Sequence, residues 1–108
     1  MKKLSRIATI AAFVLFSGAS HAGTSAGKVT FMIINSTNYL FVTAGVKTGS
    51  PACGNNNEWA VNLATAQGKS LYALLLSAQA QDKTVSIVGN GTCSIWADRE
   101  DVLYAAAY

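Results

Sequence analysis

The chain has 108 residues, 51% of them apolar, with eight basic side chains against five acidic ones and a single histidine. Three of the basic side chains and the histidine fall within the first 22 residues, so the remainder balances five bases against five acids and has no imidazole. That excludes Ser-His-Asp and Cys-His catalysis after residue 22, and cations scattered singly do not suit a nucleic-acid or polybasic membrane partner.

The opening segment has a basic start (Lys2, Lys3, Arg6), an apolar run from Ile7 to Phe16, and a small-x-small site at Ser20-His21-Ala22. This is the layout of a secretory signal peptide over residues 1–22, cut after Ala22. A single domain of about 86 residues, Gly23 to Tyr108, is left. The apolar run is roughly half of the ~20 residues needed to cross a bilayer, and Leu71 to Ala80 is broken by Ser77 and Gln79. No membrane span is expected after cleavage. With no cysteine at the cleavage site, a lipid anchor is not expected either. The compact leader is of a bacterial kind, which points to the periplasm or the outside medium.

Gly23 to Gly27 reads as a frayed small-residue stub. Lys28 to Asn35 is a strand with Val29, Phe31 and Ile33 on one face, and Tyr39 to Val46 is its hairpin partner across an Asn-Ser-Thr-Asn turn. Lys47 to Asn57 is a loop, and Glu58 to Leu63 alternates as a third strand. Thr65 suits a helix N-cap. Leu71, Leu74, Leu75 and Ala78 then form one apolar stripe over Ala66 to Asp82, with Gly68 weakening the first turn. Thr84 to Gly89 is a fourth strand. Asn90-Gly91 either closes a short hairpin into Thr92 to Trp96 or opens a longer excursion. Asp101 to Tyr108 is a fifth strand with Val102, Tyr104, Ala106 and Tyr108 on one face. Asn35-Ser36-Thr37 and Asn90-Gly91-Thr92 match the glycosylation pattern but read as plain turns.

A chain this small buries only about 60–65% of its unfolded surface and gains from a covalent staple. Cys53 and Cys93 are the only cysteines. In an oxidising compartment they read as a disulfide. The spacing is not Cys-x-x-Cys and no histidine completes a zinc site, so neither a redox nor a metal pair is expected. The order β-β-β-α-β-β, mainly β with one helix, is how a small OB-like barrel is strung, and an α+β sandwich is the fallback.

The run from Cys53 through Trp59, the leucine-rich helix, Val85-Ser86-Ile87, Gly89-Asn90-Gly91-Thr92-Cys93 and Trp96 resembles a group of small exported bacterial proteins. More distantly it is similar to the binding subunits of subtilase-cytotoxin-type toxins. Those also place a cysteine shortly before a tryptophan, then a helix, then a valine-isoleucine strand. The likeness spans Cys53 to Tyr104 and implies an OB fold, a disulfide and a binding module of a kind that assembles into rings. This chain is shorter than those subunits, and the resemblance carries over the fold without assigning their sugar-contacting residues to named positions here.

Asp98, Glu100 and Asp101 could offer a catalytic carboxylate pair, but clustered beside Arg99 they read as a solvated loop entering the last strand. Their spacing is not that of a calcium loop. Lys69 and Lys83 read as surface residues. No metal and no cofactor is expected. Sugars offer C–H faces to aromatic rings, and Trp96, beside the charged run, is the candidate platform. Asn55, Asn56 and Asn57 join it if the disulfide draws the two loops together. The competing reading has Trp96 covering the disulfide, with Trp59 and Phe41 in the core. Tyr104 and Tyr108 could line a subunit interface on an edge strand, giving a homo-oligomer. The expected function is an exported non-enzymatic module that binds a glycan or cell surface. The alternative is a periplasmic inhibitor or immunity-type protein that binds a partner enzyme. A small hydrolase is the least supported reading.

Overall fold

The structure is a computed structural model that describes residues 21–108. The leader assigned to residues 1–22 lies outside the described residues except for His21 and Ala22, both exposed. The elements are β1 (Thr24–Gly27), β2 (Val29–Ile34), β3 (Tyr39–Ala44), β4 (Trp59–Asn62), α1 (Ala66–Ala80), β5 (Val85–Gly89) and β6 (Glu100–Ala107). All six strands join one sheet in the order β1-β5-β6-β4-β3-β2. Every pairing is antiparallel except β4 with β6, which is parallel.

The sheet curls until its ends approach. Thr24 and Thr48 exchange backbone hydrogen bonds of 3.0 and 2.8 Å. Beside them a Cβ on Gly27 would lie 2.8 Å from the Gly45 Cα, and one on Gly45, at φ +75°, would lie 2.2 Å from the Ala26 oxygen. The result is a curled half-barrel with a single helix, consistent with a small OB-like barrel. The segment Gly23 to Gly27 is therefore not a frayed stub. Its small residues permit the close crossing over the end of β3 while β1 pairs with β5.

Inward-facing residues alternate along β3, β4 and β5, placing Leu40, Val42, Trp59, Val61, Val85 and Ile87 in one core. Leu75 and Ala78 of α1 complete it, with Leu71 and Tyr72 at its margin. The helix starts as the sequence indicates, with the Thr65 hydroxyl accepting from the Gly68 amide at 2.9 Å. Gly68 has a packing reason. A Cβ there would lie 1.8 Å from the Asn62 oxygen, so glycine lets the first turn rest on the end of β4.

Two bulges change which residues face the core. An extra residue on β2, between Val29 and Phe31, turns Val29 and Met32 inward and leaves Phe31 and Ile33 exposed. On β6 the register slips at Leu103, so Val102 packs inward first, then Ala105 and Ala107. Tyr104, Ala106 and Tyr108 consequently point outward, and Val102 does not share their face. The last strand is also not a sheet edge, because β6 lies between β5 and β4; the edges are β1 and β2.

Asn90 opens the longer excursion, not a hairpin, and Cys93 within it is bonded to Cys53, with Cα atoms 6.2 Å apart. The bond fits an oxidising, extracellular-type environment. No helix among the described residues is long and apolar enough to cross a membrane.

Two outcomes test this packing. Gly68→Ala should lower the melting temperature, although helix propensity alone would add about 1 kcal/mol; an unchanged or raised melting temperature contradicts the tight approach to Asn62. Replacing Cys53 and Cys93 together by serine should cost about 4 kcal/mol, the loop-closure entropy of a 40-residue separation, read from the urea midpoint.

Candidate functional site

The excursion between β5 and β6 is tied down at every few residues. The Asn90 side-chain oxygen accepts from the Thr92 amide at 3.0 Å and from its hydroxyl at 2.8 Å. The disulfide holds Cys93. Asp101, buried at the start of β6, then accepts from the Thr92 hydroxyl at 3.0 Å, from the Ser94 and Ile95 amides at 3.1 Å, and from the Ser94 hydroxyl. Burial alone would raise the Asp101 pKa. The Ser94, Ile95 and Thr92 donors together outweigh it and hold the carboxyl below its ordinary value. A turn from Trp96 to Arg99, closed by a backbone bond of 3.4 Å, carries the chain into the strand.

Trp96 stands on this turn and is 39% exposed. It packs edge-to-face on Phe41 with centroids 5.3 Å apart and on Tyr39 at 6.2 Å. Phe41 is buried as expected, but not in the main core. Its neighbours Leu40 and Val42 face inward, whereas Phe41 lies on the outer face beneath Trp96 and Arg99. The Arg99 guanidinium sits 4.4 Å from the Phe41 centroid and reaches Asp98 at 2.6 Å and Glu58 at 3.2 Å. An aromatic surface with a charged rim results. Ile33, exposed and directly opposite Phe41 in the β2–β3 register, continues it toward the sheet edge.

The asparagine loop does approach this turn, since the Asn56 amide donates to the Asp98 carbonyl at 3.2 Å. Its side chains serve the loop itself. The Asn56 oxygen accepts from the Glu58 amide, while Asn57 accepts from the Lys47 amide and donates to the Gly45 carbonyl. Asn55, Asn56 and Asn57 line a separate cleft of about 220 Å³ with Lys47, Gly49 and Ser50. A second cleft, of about 240 Å³, runs between the start of α1 and the excursion, beside Gln67, Ser94, Ile95 and Asp101. Tyr104 and Tyr108 are both exposed.

The reading of Asp98, Glu100 and Asp101 as a solvated loop holds for Asp98, which is half-exposed, but not for the other two. Glu100 is 0% exposed and Asp101 is buried as well. Glu100 accepts from the Gly23 amide through both oxygens, at 3.1 and 3.0 Å, and from the Gly91 amide at 2.9 Å. Lys47 Nζ lies 3.5 Å from the same carboxylate, its side chain only 5% exposed, and 4.2 Å from the Trp59 ring centroid. Burial lowers the Lys47 pKa, and the attraction of Glu100 offsets this only in part. Glycines make the room. A Cβ on Gly89 would lie 1.9 Å from a Glu100 oxygen. The only sequence signal for this site is the set of glycines at 23, 54, 89 and 91, whose common neighbour is not visible before folding.

No family model, curated protein or solved structure matches this chain.

Because the folded Asp101 pKa lies below the unfolded 3.8, its stabilisation is present above that value and is lost as pH falls through the folded one. Amide exchange at Ser94 and Ile95, taken relative to its intrinsic rate at each pH, should therefore stay slow at pH 6 and lose its protection as the pH falls below the ordinary carboxylate value. Asp101→Asn should quicken it at pH 6 and cost about 2 kcal/mol. Equal protection in that variant would remove Asp101 as the anchor of the excursion.

Proposed function

We propose that this chain is an exported, non-enzymatic binding module that takes a glycan, free or on a cell surface, at Trp96. The observation that carries this reading is a partly exposed tryptophan set on a loop fixed by a disulfide and a buried carboxylate. Such a platform loses little freedom on binding, which favours affinity for a small ligand. Tyr39 and Phe41 support the ring, and Asp98, Arg99 and Glu58 stand ready to read hydroxyl edges. The leader, the absence of histidine after residue 22 and the resemblance to toxin-type binding subunits agree with a module that binds and does not catalyse.

One observation favours the second reading, an inhibitor or immunity-type protein. Phe31, Ile33 and Ile34 are exposed on β2, a free sheet edge to which another chain could add a strand. Assembly of several copies would use the same edge.

A glycan array probed with the protein, beside Trp96→Ala, separates the two. The glycan reading expects binding to a defined set of sugars and at least a ten-fold loss in the variant, with its melting temperature little changed. Binding to no sugar, or equal binding by the variant, overturns it. The second reading instead expects one periplasmic protein to co-purify stoichiometrically and to be lost with Ile33→Lys.

A further inference from the structure

We propose that the peptide bond between Ala22 and Gly23 is where the leader is removed, and that the α-ammonium created at Gly23 becomes a buried ion-pair partner of Glu100. This rests on the export part of the reading above and not on the glycan site.

Three observations converge on Gly23. It is the residue that follows the small-x-small pattern Ser20-His21-Ala22. It marks a change in burial, since His21 and Ala22 are exposed and Gly23 is buried. Its nitrogen lies 3.1 and 3.0 Å from the two oxygens of a carboxylate with no exposure. In the uncut chain that nitrogen is an amide with one hydrogen for two acceptors. Hydrolysis delivers the hydroxyl of water to the Ala22 carbonyl carbon and a proton to the Gly23 nitrogen, with a leader peptidase as catalyst. The freed amine takes a further proton from solvent, because its ordinary pKa is about 8. It can then donate separately to each oxygen, and charge-assisted bonds are about twice as strong as neutral ones.

The cage fits this arrangement and little else. A Cβ at residue 23 would lie 2.5 Å from the Gly49 oxygen and 2.7 Å from Glu100 Oε1, so only glycine can occupy the position. Glu100 is already met by Lys47, and cleavage adds a second cation to one anion. Lys47 has other places for its charge, over the Trp59 ring and 3.4 Å from the Asn56 carbonyl. The α-ammonium can thus take up Glu100 while Lys47 keeps these contacts. Both fasteners of the small domain would then depend on export: the disulfide on an oxidising compartment, the ion pair on a cut made during translocation.

The test uses the full chain expressed with its own leader in an exporting bacterium. Intact mass of the exported product should correspond to Gly23–Tyr108. The native product is then treated at pH 7 with acetic anhydride and mapped by peptide mass. An exposed α-amine outpaces lysines under these conditions, because its pKa is about 8 against about 10.4. Here the order should reverse, with Gly23 at least ten-fold slower than the exposed Lys69 and Lys83, and urea should restore it. In Glu100→Gln the pH midpoint of Gly23 labelling should fall by about one unit or more. Should that variant fail to fold, Lys47→Met keeps the anion and should leave Gly23 slow. A product cut at another bond, a fast Gly23 in the native wild type, an unmoved midpoint in Glu100→Gln, or a fast Gly23 in folded Lys47→Met overturns the proposal. Trp96→Ala should leave all of these readings unchanged, so failure of the glycan reading is seen separately.

Discussion

A carboxylate with no solvent exposure has to be met by donors and counter-charge, and Glu100 collects them from three parts of the chain. Gly23 comes from the segment leading into β1, Lys47 from the loop after β3, Gly91 from the excursion after β5, and Trp59 of β4 lies beneath Lys47. An unpaired charge in this position would cost several kcal/mol. The energetic requirement of one side chain therefore draws together strands that the connectivity keeps apart. The parallel pairing of Trp59 with Glu100 is the point where the halves of the sheet meet. Closure at Thr24 and Thr48 lies close by, since Gly23 precedes one and Gly49 follows the other.

Asp101, the next residue, plays a complementary part. Alternation along the strand sends the two carboxylates in different directions, Glu100 into the closure and Asp101 into the excursion that carries Trp96. One end of β6 thereby fixes both the join of the sheet and the loop offered to solvent. The charged run beside Trp96 is a scaffold for the most part, and only Asp98 and Arg99, with Glu58, remain at the aromatic rim.

What the sequence revealed followed from local physics. Period-two alternation marked the β2–β3 hairpin, β4 and β5, and Thr65 with the leucine stripe marked α1. The cysteine pairing followed from there being two of them. What it concealed depends on closure. The bulges at β2 and at Leu103 let a curled sheet keep its inner face filled, and each reverses the alternation that a straight strand would have. The Gly23–Gly27 segment resembles a loose end because its residues are small, yet smallness is what the crossing over Gly45 requires. Glu100 was illegible for a related reason. A charged residue beside two others suggests solvent, and its true partners lie 77, 53 and 9 residues away in the chain. Trp96 was legible as a candidate, but its floor of Tyr39 and Phe41 was not.

The most direct measurement is a double-mutant cycle on Lys47 and Glu100, with unfolding free energies taken from urea titrations of wild type, Lys47→Met, Glu100→Gln and the pair. If Glu100 is the ionised centre that joins the sheet, Glu100→Gln alone should cost about 3–5 kcal/mol. The double variant should then cost clearly less than the two single changes combined, by more than about 1 kcal/mol. A Glu100→Gln protein within about 0.5 kcal/mol of wild type would show that the buried carboxylate does not organise this fold, and additive losses would show that Lys47 is not its counter-charge.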